Sequence, residues 1–135
     1  LVGPSQGISM TELALYRRRA FAVPNAEAKH ESVVAIYDDP AVIAPEKRTR
    51  PKQLVVVLDK SPYGYRPSFT FATKAGPTDE PAWRLLDWAD LTGDGTPELI
   101  FGLDMVQAKL STIVVGYSAG EWRELMRRGE GRCDF

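Results

Sequence analysis

Leu54-Val55-Val56-Val57-Leu58 decides how this chain is read. Five consecutive apolar residues, three of them valine, fit a central strand buried on both faces. Shorter runs of the same kind surround it. Val33-Val34-Ala35-Ile36-Tyr37 is a β-branched run stopped by Asp38-Asp39-Pro40. Ser68-Phe69-Thr70-Phe71-Ala72 alternates, so one face is expected to be covered and the other wet. Leu99 to Leu103 and Thr112 to Tyr117 complete a set of at least five strands. Trp83 to Trp88 is ambiguous by period and is assigned to strand because it runs straight into a loop at Asp90. Glu121 to Arg128 fits either a last strand or a short helix. Ala44 to Pro51, Ser61 to Pro67 and Gly76 to Pro81 have turn and loop compositions. Short strands separated by turn signals predict an antiparallel sheet, not βαβ units.

One helix is expected ahead of the strands. Ser9-Met10-Thr11-Glu12 fits a capping box, and Met10, Leu13, Ala14 and Phe21 recur near helical spacing. Arg17, Arg18 and Arg19 would then complement the negative end of the helix dipole, with Pro24 closing the segment. The spacing predicts a helix from Met10 to Ala20. The expected fold is therefore α+β: a mainly antiparallel sheet with a short N-terminal helix packed on it. Residues 1–8 read as a flexible lead-in, 9–128 as a single domain and 129–135 as a flexible tail. No internal repeat or domain boundary stands out.

A chain of 135 residues is large enough to bury a core without staples. Its composition is 44% hydrophobic and 26% charged with a formal net charge of −1, which provides no field to attract nucleic acid or an anionic membrane. No apolar run approaches the roughly 18 residues of a transmembrane helix. The chain begins at Leu1 rather than Met, as a processed or truncated product would. Cys133 is the one cysteine, so no internal disulfide can form, and it is expected to be a frayed, unreactive thiol.

Asp90-Leu91-Thr92-Gly93-Asp94-Gly95-Thr96-Pro97-Glu98 is the sharpest chemical signal. It places oxygen-bearing side chains at positions 1, 3, 5 and 9 of a loop, with glycine at position 6. A cation of Ca²⁺ size takes six to eight oxygens at about 2.3–2.6 Å, and alternate side chains on a tightly curled loop can converge on it. The expected side-chain ligands are Asp90, Asp94 and Glu98, with Thr92 a weak or water-mediated one and Thr96 a carbonyl donor. Three carboxylates gathered without a cation would repel one another. The register is not that of an EF-hand, since position 12 is Phe101 where that loop needs a bidentate Glu. An Asp-Gly hairpin with solvated carboxylates is the metal-free alternative.

The segment Ala89 to Gly102 resembles the FG-GAP/VCBS-type calcium loop of integrin-like β-propellers, in which an Asp-rich run leads into an apolar strand and a glycine. Ile113-Val114-Val115-Gly116-Tyr117 and Gly120-Glu121-Trp122 look like the next strand and the Gly-x-aromatic turn of such a blade. The resemblance covers roughly Trp88 to Leu125 in a single copy, so a closed propeller is excluded on length. It implies a calcium loop between two antiparallel strands. Thr92 stands where that family prefers Asn or Asp, and Glu98 where it has Asp, which implies weak affinity.

Other motifs carry less. Gly116-Tyr117-Ser118-Ala119-Gly120 matches the nucleophile elbow of α/β-hydrolases, an esterase-like reading. No histidine follows Ser118, and the lone His30 lies upstream in the wrong order, so Ser118 is expected to be a turn residue. His30 is expected at the surface, and Asp38-Asp39 as a strand-ending turn. Lys47, Arg48, Arg50 and Lys52, framed by Pro45 and Pro51, read as a solvated loop and not a nucleic-acid contact. Tyr63, Tyr65 and Arg66, on a Pro-stiffened loop, suit peptide or carbohydrate contact with a protein or cell-envelope partner, although the two tyrosines are first expected to pack over the sheet. The expectation that follows is a non-enzymatic, extracytoplasmic binding domain (secreted, periplasmic, or surface-anchored as a lipoprotein) with one structural Ca²⁺ loop. The alternative is a metal-free interaction module using Tyr63 and Tyr65.

Overall fold

The computed structural model describes residues 10–25, 29–41, 43–44, 47–73, 82–104 and 111–129. The expected lead-in, the Ser9 cap, Pro45, the Gly76 to Pro81 loop, and Cys133 with the tail beyond residue 129 lie outside them. Where the sequence marks no boundary, the chain gathers into two compact units, Leu1–Ala22 with Val33–Glu80, and Val23–Ser32 with Pro81–Phe135.

One helical turn, α1 (Met10–Leu13), precedes strands β1 (Arg17–Asn25), β2 (His30–Asp38), β3 (Gln53–Ser61) and β4 (Gly64–Ala72), which form a sheet in that order. The strands β5 (Ala82–Ala89), β6 (Glu98–Asp104), β7 (Ser111–Ser118) and β8 (Glu121–Gly129) form a second sheet, again in chain order. The registers β2–β3, β3–β4, β5–β6, β6–β7 and β7–β8 are all antiparallel. The protein is mainly β with almost no helix.

The expected helix to Ala20 is corrected: α1 stops at Leu13. Leu15 N–H donates to the Glu12 carbonyl and Tyr16 N–H to that of Leu13, and the chain then extends. Tyr16 explains the stop. Its ring is buried with Leu54 and Val56 while its hydroxyl donates to the Pro51 carbonyl, a position a continuing helix would forfeit. Arg17 to Arg19 therefore begin β1 instead of closing a helix, and Arg19 pairs with Asp38 of β2 at 2.9 Å. Further along β1, Phe21, Val23 and Asn25 turn inward while Ala22 and Pro24 face out, a period of two. Pro24 is tolerated because β1 is an edge strand.

Leu54 to Val57 are fully buried in β3, which lies between β2 and β4. On one face Leu54 and Val56 meet Tyr16, with Leu13, Tyr37, Leu58 and Ala72 packed around them. Ser68 to Ala72 do not alternate as expected: on the edge strand β4 all five are half-buried. The expected loop from Ser61 to Pro67 shrinks to Pro62-Tyr63, because β4 already starts at Gly64. Pro67 is accommodated by a bulge, where Val57 faces Phe69 and Leu58 faces Pro67.

In the second unit, Trp83 to Trp88 lie in strand β5 as assigned, and Glu121 to Arg128 prove to be strand β8. Trp83, Leu99, Phe101, Leu103, Ile113, Val115 and Trp122 are buried, with the Trp83 and Phe101 rings tilted at 5.2 Å. Bulges fall between Leu85 and Asp87, and at Val114/Val115 opposite Leu125. The leucines at these bulges lie over glycines: a Cβ on Gly102 would sit 3.1 Å from Leu86, and one on Gly116 would collide with Leu125.

Candidate metal centre

The loop from Asp90 to Pro97 joins β5 to β6, so its two ends are fixed by the Ala89–Glu98 pair of an antiparallel ladder. Within that span Asp90 acts as the hub. Its Oδ1 accepts from the N–H groups of Gly93 (2.7 Å) and Asp94 (3.2 Å), and its Oδ2 from that of Gly95 (2.9 Å). These donors, Gly95 first, hold the Asp90 carboxyl below the ordinary carboxylate value against opposition from burial. The stabilisation this gives is present above the unfolded value near 3.9 and is lost as pH falls through the lower folded one. Gly95 has φ 87° and Gly93 φ 78°, left-handed backbone that lets successive N–H groups turn toward one carboxylate.

Glu98 closes the loop from the other side. It is only 4% exposed. Its Oε2 accepts from Leu91 N–H at 2.6 Å and its Oε1 from the Thr92 hydroxyl at 2.8 Å. Asp94 Oδ1 accepts from Thr96 N–H at 2.9 Å, and Thr96 is buried. The fold thus brings Asp90, Asp94 and Glu98 together, with one oxygen of each within 4.8 Å of the others. Two ligands on opposite sides of one Ca²⁺ stand about 5.2 Å apart, so a single ion can span this set. Thr92 and Thr96 enter through hydrogen bonds to the carboxylates. The repulsion expected among three bare carboxylates is already relieved by these donors.

The chain matches no family model, no curated protein and no solved structure.

The remaining sequence candidates separate clearly. The expected packing of the tyrosines over the sheet is corrected: Tyr63 is 99% exposed and Tyr65 52% exposed, with Arg66 exposed beside them. Their turn is pinned by Ser61, whose hydroxyl donates to the Gly64 carbonyl (2.7 Å) and accepts from Tyr63 N–H (3.3 Å). Ser118 ends β7 and pairs with Glu121, while Ala119 (φ 52°) and Gly120 (φ 81°) make the two-residue turn of a hairpin. A nucleophile elbow needs strand, turn and helix; here the chain runs strand, turn, strand. His30 Nδ1 lies 2.9 Å from the Glu31 carbonyl, to which it donates.

Sequence reasoning missed a second charged cluster. Arg50 clamps Asp39 through Nε to Oδ2 (2.8 Å) and a terminal nitrogen to Oδ1 (2.9 Å). Arg48 adds a contact to Oδ2 at 3.3 Å, and Ala41 N–H donates to Oδ1 at 3.0 Å. The Asp39 side chain is fully buried, with Arg48 nearly so. The reading of Arg48 and Arg50 as a solvated loop is therefore corrected. Burial alone would raise the Asp39 carboxyl, but the hydrogen bonds from Arg50, Ala41 and Arg48 hold it below the ordinary carboxylate value. The Arg50 guanidinium also lies 5.5 Å from the Tyr16 ring centroid. Burial, and next the Asp39 charge, push the Tyr16 hydroxyl up to about 12. The signal was available: the acidic end of β2 and the basic approach to β3 must meet if the two strands form a hairpin.

Proposed function

We propose that this chain is a non-enzymatic, extracytoplasmic binding domain whose Asp90–Glu98 loop takes one Ca²⁺ as a staple across the β5–β6 turn. The observation that carries the reading is the convergence of Asp90, Asp94 and Glu98 within 4.8 Å. The resemblance to the FG-GAP/VCBS calcium loop supports it, as does the placement of the loop between two antiparallel strands. Because the loop is already held by its own donors, the ion adds little, and the affinity belongs with weak extracellular modules at about 10⁻⁴–10⁻³ M. Such a loop fills only where calcium is abundant, which favours a secreted, periplasmic or surface-anchored home. Calcium at about ten times Kd adds about 1.4 kcal/mol, a rise in melting temperature of about 4 °C for a chain of this size. Titration to 5–10 mM, about ten times the weakest expected Kd, with Mg²⁺ as comparison, measures it. An unchanged melting temperature, with no ion bound at Asp90 and Asp94, overturns the proposal.

A second reading rests on Tyr63, which at 99% exposure contributes nothing to packing on a turn that is itself pinned. Rigid aromatics presented this way fit an interface with a protein partner, in a module that needs no metal. The Tyr63→Ser/Tyr65→Ser double variant is expected to melt within about 0.5 kcal/mol of the parent. A loss above about 1 kcal/mol would return these rings to a structural role and end that reading.

A further inference from the structure

We propose that the cavity between α1 and strands β1 and β2 binds a small organic carboxylate with an aromatic or short aliphatic body. The cavity measures about 300 Å³ and is lined by Leu13, Ala14, Tyr16, Arg18 and Tyr37. That is the lower end of small-molecule sites, and the cavity opens widely to solvent, so one ring with a short side arm can lie in it with one side uncovered. The apolar wall is preformed. Tyr16 is buried, anchored by its hydroxyl to Pro51, and overlaid by Arg50, so it does not have to be ordered when a ligand arrives.

Arg18 decides the ligand class. Arg19 is spent on Asp38, and Arg48 and Arg50 are spent on Asp39. Arg18 has no hydrogen-bond or ion-pair partner among the described residues, and neither has the Tyr37 hydroxyl. A guanidinium with no partner among the described residues therefore stands at an apolar cavity, near which Asp38 is paired with Arg19, Asp39 with Arg48 and Arg50, and Glu12, whose charge reaches Tyr16, has an interaction of its own. The planar fork of Arg suits a carboxylate, held bidentately, with the apolar body against Leu13, Ala14 and the Tyr16 ring. This site is independent of the Asp90 loop.

Phenylacetate and its uncharged isostere phenylacetamide test the assignment, followed by amide chemical shifts of the whole chain. Ten heavy atoms at modest efficiency give phenylacetate a Kd of about 1 mM, with shifts confined to Leu13–Arg18 and the neighbourhood of Tyr37. Phenylacetamide is expected to bind about tenfold more weakly or worse, for want of the charge-assisted pair. Arg18→Gln should bring phenylacetate down to the amide's level at unchanged melting temperature, because Arg18 is exposed. Equal binding of acid and amide overturns the proposal, as does full binding by Arg18→Gln. Absence of shifts up to about 20 mM, some twenty times the expected Kd, also overturns it. If Arg18→Gln fails to fold, the acid–amide comparison on the unaltered protein still decides.

Discussion

Asp39→Ala is expected to lower stability by about 3 kcal/mol, a large share of what a domain of this size holds. The expectation comes from what the variant leaves behind. Asp39 is fully buried and answers two guanidinium groups, Arg48 at 7% and Arg50 at 18% side-chain exposure. Without it both cations stay partly desolvated with no counter-charge, and Ala41 N–H loses its acceptor. Removing one partner of a buried pair costs about 3–5 kcal/mol; the residual exposure of Arg50 and its seat over Tyr16 place this case at the lower end. Urea unfolding would show the midpoint falling with the slope unchanged. Adding Arg50→Met should recover part of the loss, because one of the two stranded charges goes with it. The pH dependence has a definite sign. The folded Asp39 value lies below the unfolded one, so its stabilisation is present above about pH 4 and disappears as pH falls through the folded value. Asp39→Asn should therefore flatten the acid limb of the stability curve. A cost within about 0.5 kcal/mol would show that the cluster is neutral for stability.

What was legible in the sequence was local. Leu54 to Leu58 announce a strand because burial on both faces leaves no polar position to disguise the run. The Asp90 loop is legible because its converging residues lie within nine positions of one another. Where partners are distant the reading fails. Met10, Leu13 and Ala14 have helical spacing, yet the Tyr16 ring answers to Leu54, Val56 and Pro51 far along the chain, and tertiary packing overrides the local period. The Asp39 cluster stayed hidden because its charges lie on both arms of the β2–β3 connection. They meet only once Asp38 is set opposite Gln53 and Asp39 N–H donates to the Lys52 carbonyl. Glu98 was legible as a loop carboxylate, but its burial was not. That depends on strands distant in the chain: Gly116 of β7 lies beside it, where an added Cβ would make ordinary contact with Glu98 Cγ at 3.5 Å.

Glu98→Ala is expected to cost about 2–3 kcal/mol, and Glu98→Gln only about 1 kcal/mol. The difference follows from the two donors. Glu98 accepts from Leu91 N–H and from the Thr92 hydroxyl, and it does so from a buried position. Alanine strands both donors and empties the space beside Gly116. Glutamine keeps its carbonyl oxygen for Leu91 N–H, and its amide can donate to Thr92 because a hydroxyl accepts as readily as it donates. What Glu98→Gln loses is the negative charge, and with it the third anionic ligand of the candidate centre. The variant therefore separates two roles that the parent combines. If Glu98 is both a loop clasp and a calcium ligand, Glu98→Gln should melt close to the parent without calcium and lose the calcium-induced rise. If it is a clasp alone, Glu98→Gln keeps the parent's response to calcium, whatever that is, and Glu98→Ala is the more weakened of the two variants. Equal losses for Glu98→Gln and Glu98→Ala would contradict the hydrogen-bond argument itself. Melting curves of the three proteins, with and without calcium, distinguish these outcomes because the clasp acts at every calcium concentration and the ligand only above its Kd.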